Sequence, residues 1–230
     1  MNQVVTPAII LSRTDYGEAD RILTMLTPEH GKLRLLAKGV RRVKSKLAGG
    51  IELFSVSTIT YIQGRSELGT LVSTRLNKHY GHIVEDIDRT MLGYELIKQL
   101  NRITEDQAES SYFTLLEKIF ESLDDFTVTL SLVNLWFQMQ LLQFGGHAPN
   151  LETDTDNMRL SVDARYSFTF DDMCFYQASE GQFVAKHIKF LRLGFAGTSP
   201  RALQQVQGAG ELVAELTPLV GTMLRTYLQV

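Results

Sequence analysis

The spacing of apolar residues changes its period once along this chain, and that change divides the fold. Up to about residue 80 the period is two, as in strands whose successive side chains point to opposite faces. Val4 to Arg13 is rich in Val and Ile, Arg21 to Thr27 alternates around Ile22 and Leu26, and Lys32 to Lys38 alternates around Leu33, Leu35 and Ala37. Glu52 to Ile62 sets Leu53, Ser55, Ser57, Ile59 and Tyr61 against Phe54, Val56, Thr58, Thr60 and Ile62, and Leu68 to Leu76 follows. Turn residues separate the runs at Tyr16-Gly17, Pro28 to Gly31, Ala48-Gly49-Gly50 and Gln63-Gly64-Arg65-Ser66. Five short strands joined by turns predict a closed five-stranded barrel of the oligonucleotide-binding (OB-fold) type, in which closure abolishes the exposed sheet edges.

After Gly81 the period becomes helical. Met91, Leu92, Glu95, Leu96, Gln99 and Leu100 lie on a helix over Ile83 to Ile103, and Tyr112 to Leu123 and Phe126 to Phe144 form two more. Asp124-Asp125 are placed to cap the third helix and complement its dipole, and Gly145-Gly146 and Pro149 to end it. Leu151 to Ser161 reads as polar turns, Tyr166 to Gln177 has the Phe-x-Phe spacing of a strand, and three shorter helices close the chain, one of them opened by Ser199-Pro200. The expected class is α+β: a barrel domain at 1–80 packed on a mainly helical domain at 81–230, with a small strand-containing insertion at about 150–182.

Charge is distributed as unevenly as pattern. From His30 to Ile51 there are seven basic residues, Lys32, Arg34, Lys38, Arg41, Arg42, Lys44 and Lys46, and no Asp or Glu, in a chain of net charge -3. Up to Gly81 there are 12 Lys and Arg against 6 Asp and Glu; beyond it, 11 against 20. Clustered cations attract polyanions because each phosphate they neutralise releases condensed counterions. Nucleic acid is the expected partner and the amino-terminal third the expected contact surface. Gly39, with Gly49-Gly50, is expected to leave the basic loop mobile, and Phe54, Tyr61 and Tyr80 are candidates to stack on unpaired bases. The bland alternatives are a solvated surface loop and aromatics of the core.

Other chemistry fails on spacing. A single cysteine, Cys174, excludes a disulfide within the chain and a multi-cysteine zinc site. Asp154-Thr155-Asp156-Asn157 opens like a calcium loop but has Arg159 and Arg165 where Gly and Glu are required, so it reads as a turn. His79 and His82, with Glu85 and Asp86 beyond, read as surface or capping residues. There is no G-x-S-x-G, no G-x-x-x-x-G-K-[ST], no H-E-x-x-H and no carboxylate cluster suited to two-metal catalysis, so the chain reads as a binder without a catalytic centre. Met1 to Leu11 lacks a basic n-region, and Phe126 to Phe144 is interrupted by Asn134, Gln138, Gln140 and Gln143, so neither a secretory signal nor a membrane span is expected.

Ile9 to Ser45 resembles the amino-terminal region of the bacterial RecO family of recombination mediators. That pattern joins a Gly-Glu-x-Asp turn, a Thr-x-x-x-Gly-Lys hairpin and an Ala-Lys-Gly-x-Arg-Arg loop, here Gly17 to Asp20, Thr27 to Lys32 and Ala37 to Arg42. Leu142 to Pro149, at the end of a helix and before an insertion, is similar in placement. Many family members hold a structural zinc in that insertion through two C-x-x-C pairs; here the first pair's neighbourhood reads Asp154 to Asn157 and only Cys174 remains, so no metal or other cofactor is expected and Phe168, Phe170 and Phe175 must hold the region instead. The resemblance implies a cytoplasmic, nucleoid-associated protein without enzymatic activity. It would bind single- and double-stranded DNA, anneal complementary strands and assist loading of a RecA-type recombinase during gap repair. Its implied protein partners are RecR and the acidic tail of the single-stranded DNA-binding protein, with Lys186 to Arg192 a candidate groove for that tail. The expected phosphate contacts are Arg41, Arg42, Lys44 and Lys46, then Lys32, Arg34 and Lys38, with Gly39 supplying backbone freedom. Two rival readings remain: an adaptor whose basic loop docks on an acidic protein, and, ranked last, a nucleic-acid enzyme.

Overall fold

The computed structural model describes residues 3–64, 67–104 and 110–228, which form two compact units, Met1–Asp125 and Phe126–Val230. The first contains the expected barrel. Strands β1 (Gln3–Tyr16), β2 (Asp20–Thr27), β3 (Gly31–Ala37), β4 (Ser55–Ile62) and β5 (Leu68–His79) close in the order β1-β2-β3-β5-β4. Long β1 serves two neighbours. Its first half runs antiparallel to β4, from Gln3 opposite Ile62 to Ile9 opposite Val56, and its second half to β2, from Ile9 opposite Leu26 to Tyr16 opposite Asp20. A bulge between Ile10 and Ser12 bends the strand where it changes partner. Parallel pairing of Arg34, Leu35 and Leu36 with Leu68, Gly69 and Thr70 completes closure. Ala8, Ile10, Leu23, Met25, Leu35, Ala37, Ile59 and Leu71 fill the interior. Of the turn expected between β4 and β5, Arg65 and Ser66 lie outside the described residues.

Helices α1 (Ile87–Ile103) and α2 (Ser110–Asp124) belong to the barrel's unit. The helix expected from Ile83 starts later: Gly81–Glu85 is a short 3-10 turn, and the Asp86 carboxylate caps α1 by accepting the Arg89 N–H at 2.9 Å. Phe54 fastens these helices to the barrel. Its ring is buried, edge-on to Phe120 at 5.5 Å and to Tyr94 at 5.3 Å, and its backbone is held at φ 54°, a left-handed conformation costly for so bulky a residue. Gly93 makes the room, since a Cβ there would lie 2.6 Å from the Phe54 ring.

The second unit is built on α3 (Leu130–Phe144), buried on almost every side, with Gln140 donating its amide to the Gly194 carbonyl at 2.7 Å. The expected Asp124-Asp125 cap is not its cap. Asp124 ends α2 and accepts the His82 N–H at 2.8 Å, while the buried Arg89 guanidinium takes the carbonyls of Leu123 and Asp125. The third helix starts after Thr129, whose N–H is taken by the Gln204 side chain at 2.9 Å. Gly145 and Gly146, the latter at φ 74°, end it as expected. Of Leu151 to Ser161, expected as turns, the first four residues belong to strand β6 (Asn150–Asp154), which lies beside β8 (Cys174–Gln177), and β7 (Tyr166–Thr169) pairs on the other side. Phe175, fully buried, is contacted edge-on by Tyr166, Phe168 and Phe183. Helices α4 (Ala185–Phe195) and α5 (Pro200–Leu203), the latter capped by Ser199, precede α6 (Ala209–Leu228), which at 20 residues is the longest described helix and not a short one. Among the described residues no helix is long and apolar enough to cross a membrane.

Phe54→Ala removes a buried ring while leaving the strained backbone, and is expected to destabilise the first unit by about 3–5 kcal/mol. Urea unfolding followed by tyrosine fluorescence measures this, and a loss below ~1 kcal/mol contradicts the role given to Phe54.

Candidate nucleic-acid interface

On β3, Leu33, Leu35 and Ala37 belong to the barrel core, so Lys32 and Arg34 alternate outward. Arg34 is exposed opposite Thr24. Lys32 is half-buried and its ammonium donates to the Asn101 carbonyl in the last turn of α1 at 2.8 Å, where a cation complements unpaired carbonyls.

The chain then leaves the sheet for residues 38–54, and here the structure corrects the expectation of a mobile loop. Gly39 sits at φ 64° with its N–H held by the Asp20 carboxylate at 2.7 Å, and the Arg42 stem lies against it. The glycine serves a defined turn, and freedom is not what the geometry uses it for. The Arg41 N–H donates to the Ala19 carbonyl at 2.9 Å, the Ser45 N–H to Arg42 at 2.9 Å, and the Thr74 hydroxyl to the Leu47 carbonyl at 3.2 Å. Val40 and Ile51 are buried in the barrel core, with Leu47 and Leu53 packed against it. Between Val40 and Leu47 the side chains of Arg41, Arg42, Lys44 and Lys46 are all exposed, with Val43 fully so, and Lys38 is exposed just ahead of Val40. The result is a fastened connection with five cations on its outer side.

Acids absent from the loop's sequence reach it in space. The β2–β3 register sets Arg21 opposite Ala37, bringing the β1–β2 turn beside the loop. Asp15 accepts from Arg21 Nε at 2.8 Å and lies 3.5 Å from Arg41. The Arg21 hydrogen bond holds the Asp15 carboxyl below its ordinary value, slight desolvation works against it, and the Arg41 charge adds to the lowering. Arg21 and Asp15 were not singled out by sequence; pairing register is the signal that finds them.

The stacking candidates are corrected. Phe54, Tyr61 and Tyr80 are each no more than 3% exposed, so no ring of the three is presented to a base. In Lys186 to Arg192, the segment expected to offer a groove, Ile188, Phe190 and Leu191 are buried, Lys186 pairs with Glu215, and Arg192 is tied to the Leu151 carbonyl. Asp154 ends β6, and its carboxylate accepts the N–H groups of Asp156 and Met158 in the turn that follows. Cys174 does not fit a family-type zinc site, being a lone buried thiol whose ionisation is disfavoured by burial and then by Asp172 and Asp154. Among the described residues, no three His, Cys, Asp or Glu side chains are grouped to hold a metal ion.

Because the Asp15 pKa is depressed, its ion pairs contribute above the unfolded value and are lost as pH falls through the lower folded one. NMR titration is expected to place Asp15 below 3.8 and to show Arg21→Ala raising it; a wild-type value at or above 3.8 contradicts the pairing.

Two family models match this chain, recombination protein O N terminal over residues 1–80 and recombination protein O C terminal over residues 84–230. A DNA repair protein RecO from Desulfatibacillum aliphaticivorans is 33% identical over 155 residues, 66% of this chain and 60% of the relative. One from Dehalococcoides mccartyi (strain ATCC BAA-2266 / KCTC 15142 / 195) is 33% identical over 147 residues, 64% and 57% of the two chains, and one from Myxococcus xanthus is 37% identical over 120 residues, 51% and 48%. The matched region thus spans about 60% or less of these relatives' length. With both models matched in order along nearly all its residues, the chain belongs to the recombination protein O family.

Proposed function

We propose that this chain is a DNA-binding recombination mediator acting in DNA repair. It binds single- and double-stranded DNA through the connection 38–54, anneals complementary strands and assists loading of a RecA-type recombinase onto strands coated by single-stranded DNA-binding protein, with RecR and that protein's acidic tail as partners in the bacterial cytoplasm. The observation that carries the reading is the row of five exposed cations on a connection anchored at Val40, Leu47 and Ile51. The family and the name of its relatives, DNA repair proteins, support it.

Annealing asks little more of a protein than that phosphate repulsion between two strands be screened while the bases stay free to pair. Arg41 and Arg42 have the fork geometry for phosphate oxygens, and Lys38, Lys44 and Lys46 add point charges. Arg34 extends the surface onto β3, and Lys32 adds charge from the same strand, its ammonium held at the Asn101 carbonyl of α1. Such contacts read no base and require no bond chemistry. In this reading 1–80 is the DNA-binding domain and 81–230 the helical domain, and no metal takes part.

Fluorescence anisotropy of a labelled single-stranded oligonucleotide over a salt series tests it. Binding is expected to weaken steeply with salt, and Arg41→Ala/Arg42→Ala/Lys44→Ala to make the log–log slope shallower by about 2, at roughly 0.7 per phosphate contact. Identical slopes place the DNA elsewhere, and a wild type that fails to bind at low salt favours docking on an acidic protein. Dialysis against EDTA is expected to leave the melting temperature and DNA affinity unchanged; a fall in either, with release of zinc, contradicts the metal-free reading.

A further inference from the structure

One groove of the first unit has a composition that its fold does not require. It encloses about 430 Å³ between β1, the end of the basic connection and α1. Leu11, Leu53 and Ile97 give it an apolar floor; Tyr94, Lys98 and Asn101 stand along α1, and Arg13 on β1. Tyr94 is braced edge-on against Phe54 at 5.3 Å yet is 48% exposed, unlike the three aromatics that are buried. Arg13 is held by the Ile51 carbonyl at 3.4 Å and Glu52 at 3.3 Å, so Glu52 offsets part of its charge, while Lys98 is exposed.

We infer that this groove receives one unstacked nucleotide of a single strand lying on the basic connection, an inference that rests on the DNA-binding reading above. Continuity supports that occupant. Leu53 belongs to the connection itself, Arg13 is bonded to its Ile51, and Lys32 donates to the backbone carbonyl of Asn101. Chemistry supports it as well. An exposed ring braced from behind offers a stacking platform, the Asn101 amide carries both donor and acceptor for a base edge, and Lys98 with Arg13 supplies cations for the attached phosphate. A paired base cannot enter without leaving its duplex, so the groove favours single strands, whereas the outer cations read neither base nor strandedness.

Tyr94→Leu keeps the apolar contact with Phe54 and removes the platform, and Lys98→Ala removes an exposed charge. Anisotropy with fluorescein-labelled oligothymidylate is expected to show about tenfold weaker binding for Tyr94→Leu, and a smaller loss for Lys98→Ala, with hairpin-duplex affinity nearly unchanged. Irradiation of a 5-iodouracil oligonucleotide with wild-type protein is expected to give an adduct on Tyr94 by peptide mass spectrometry. Equal losses on both DNAs, or no loss and no adduct while the loop triple variant weakens both, overturn the groove and leave the basic connection standing. If the wild type binds neither DNA, the parent reading falls with it. If the variants keep oligonucleotide binding but lose binding of a labelled Asp- and Leu-containing peptide, the groove belongs to an acidic protein segment and the inference is overturned.

Discussion

The parallel pairing of β3 with β5 is the constraint on which the rest of the first unit depends. Strands β3 and β4 follow one another in sequence but are not neighbours in the barrel, so no hairpin can join them and the chain must cross over through residues 38–54. The crossover cannot hang free, because the barrel interior needs Val40 and Ile51 inside it and Leu47 and Leu53 against it. Between Val40 and Leu47 the chain runs over the outside of the barrel, where Arg41, Arg42, Lys44 and Lys46 are exposed, with Lys38 exposed just before Val40. One segment both completes the core and displays the charge.

Fastening changes the energetics of binding a polyanion. A loop ordered only on contact loses backbone entropy at that moment, about 1–2 kcal/mol per fixed residue, whereas a connection already held by Asp20, Ala19 and Thr74 has met that cost on folding. Only the side-chain stems remain to be ordered. Asp15 holds Arg41 and Arg21 in place at the edge of the array without cancelling its excess of cations.

The barrel was legible because period-two segments and turn residues are local signals, and each of the five expected strands formed within a few residues of its predicted bounds. The basic row was legible for the same reason. What failed depended on distant partners. Asp124 and Asp125 look like a cap in sequence, but the Asp124 carboxylate takes the His82 N–H and α3 starts only after Thr129. Phe54, Tyr61 and Tyr80 sit in or beside strands where either face is plausible, and whether barrel packing or helix packing covers a ring is not a local property. Residues Asn150 to Asp154 carry one strongly apolar side chain, Leu151, too little pattern to announce a strand that forms by pairing with β8. Tyr94 carries no local signal of exposure, because its 48% exposure depends on how α1 packs beside β1 and Leu53.

The most direct measurement of the central claim is amide hydrogen–deuterium exchange of the whole chain, free and with a saturating single-stranded oligonucleotide at low salt. In the free protein the anchored turns are predicted to exchange slowly, and added DNA to slow residues 38–54 more than any other stretch. Fast exchange throughout 38–54 in the free protein, or DNA-induced protection confined to residues beyond Phe126, contradicts the account.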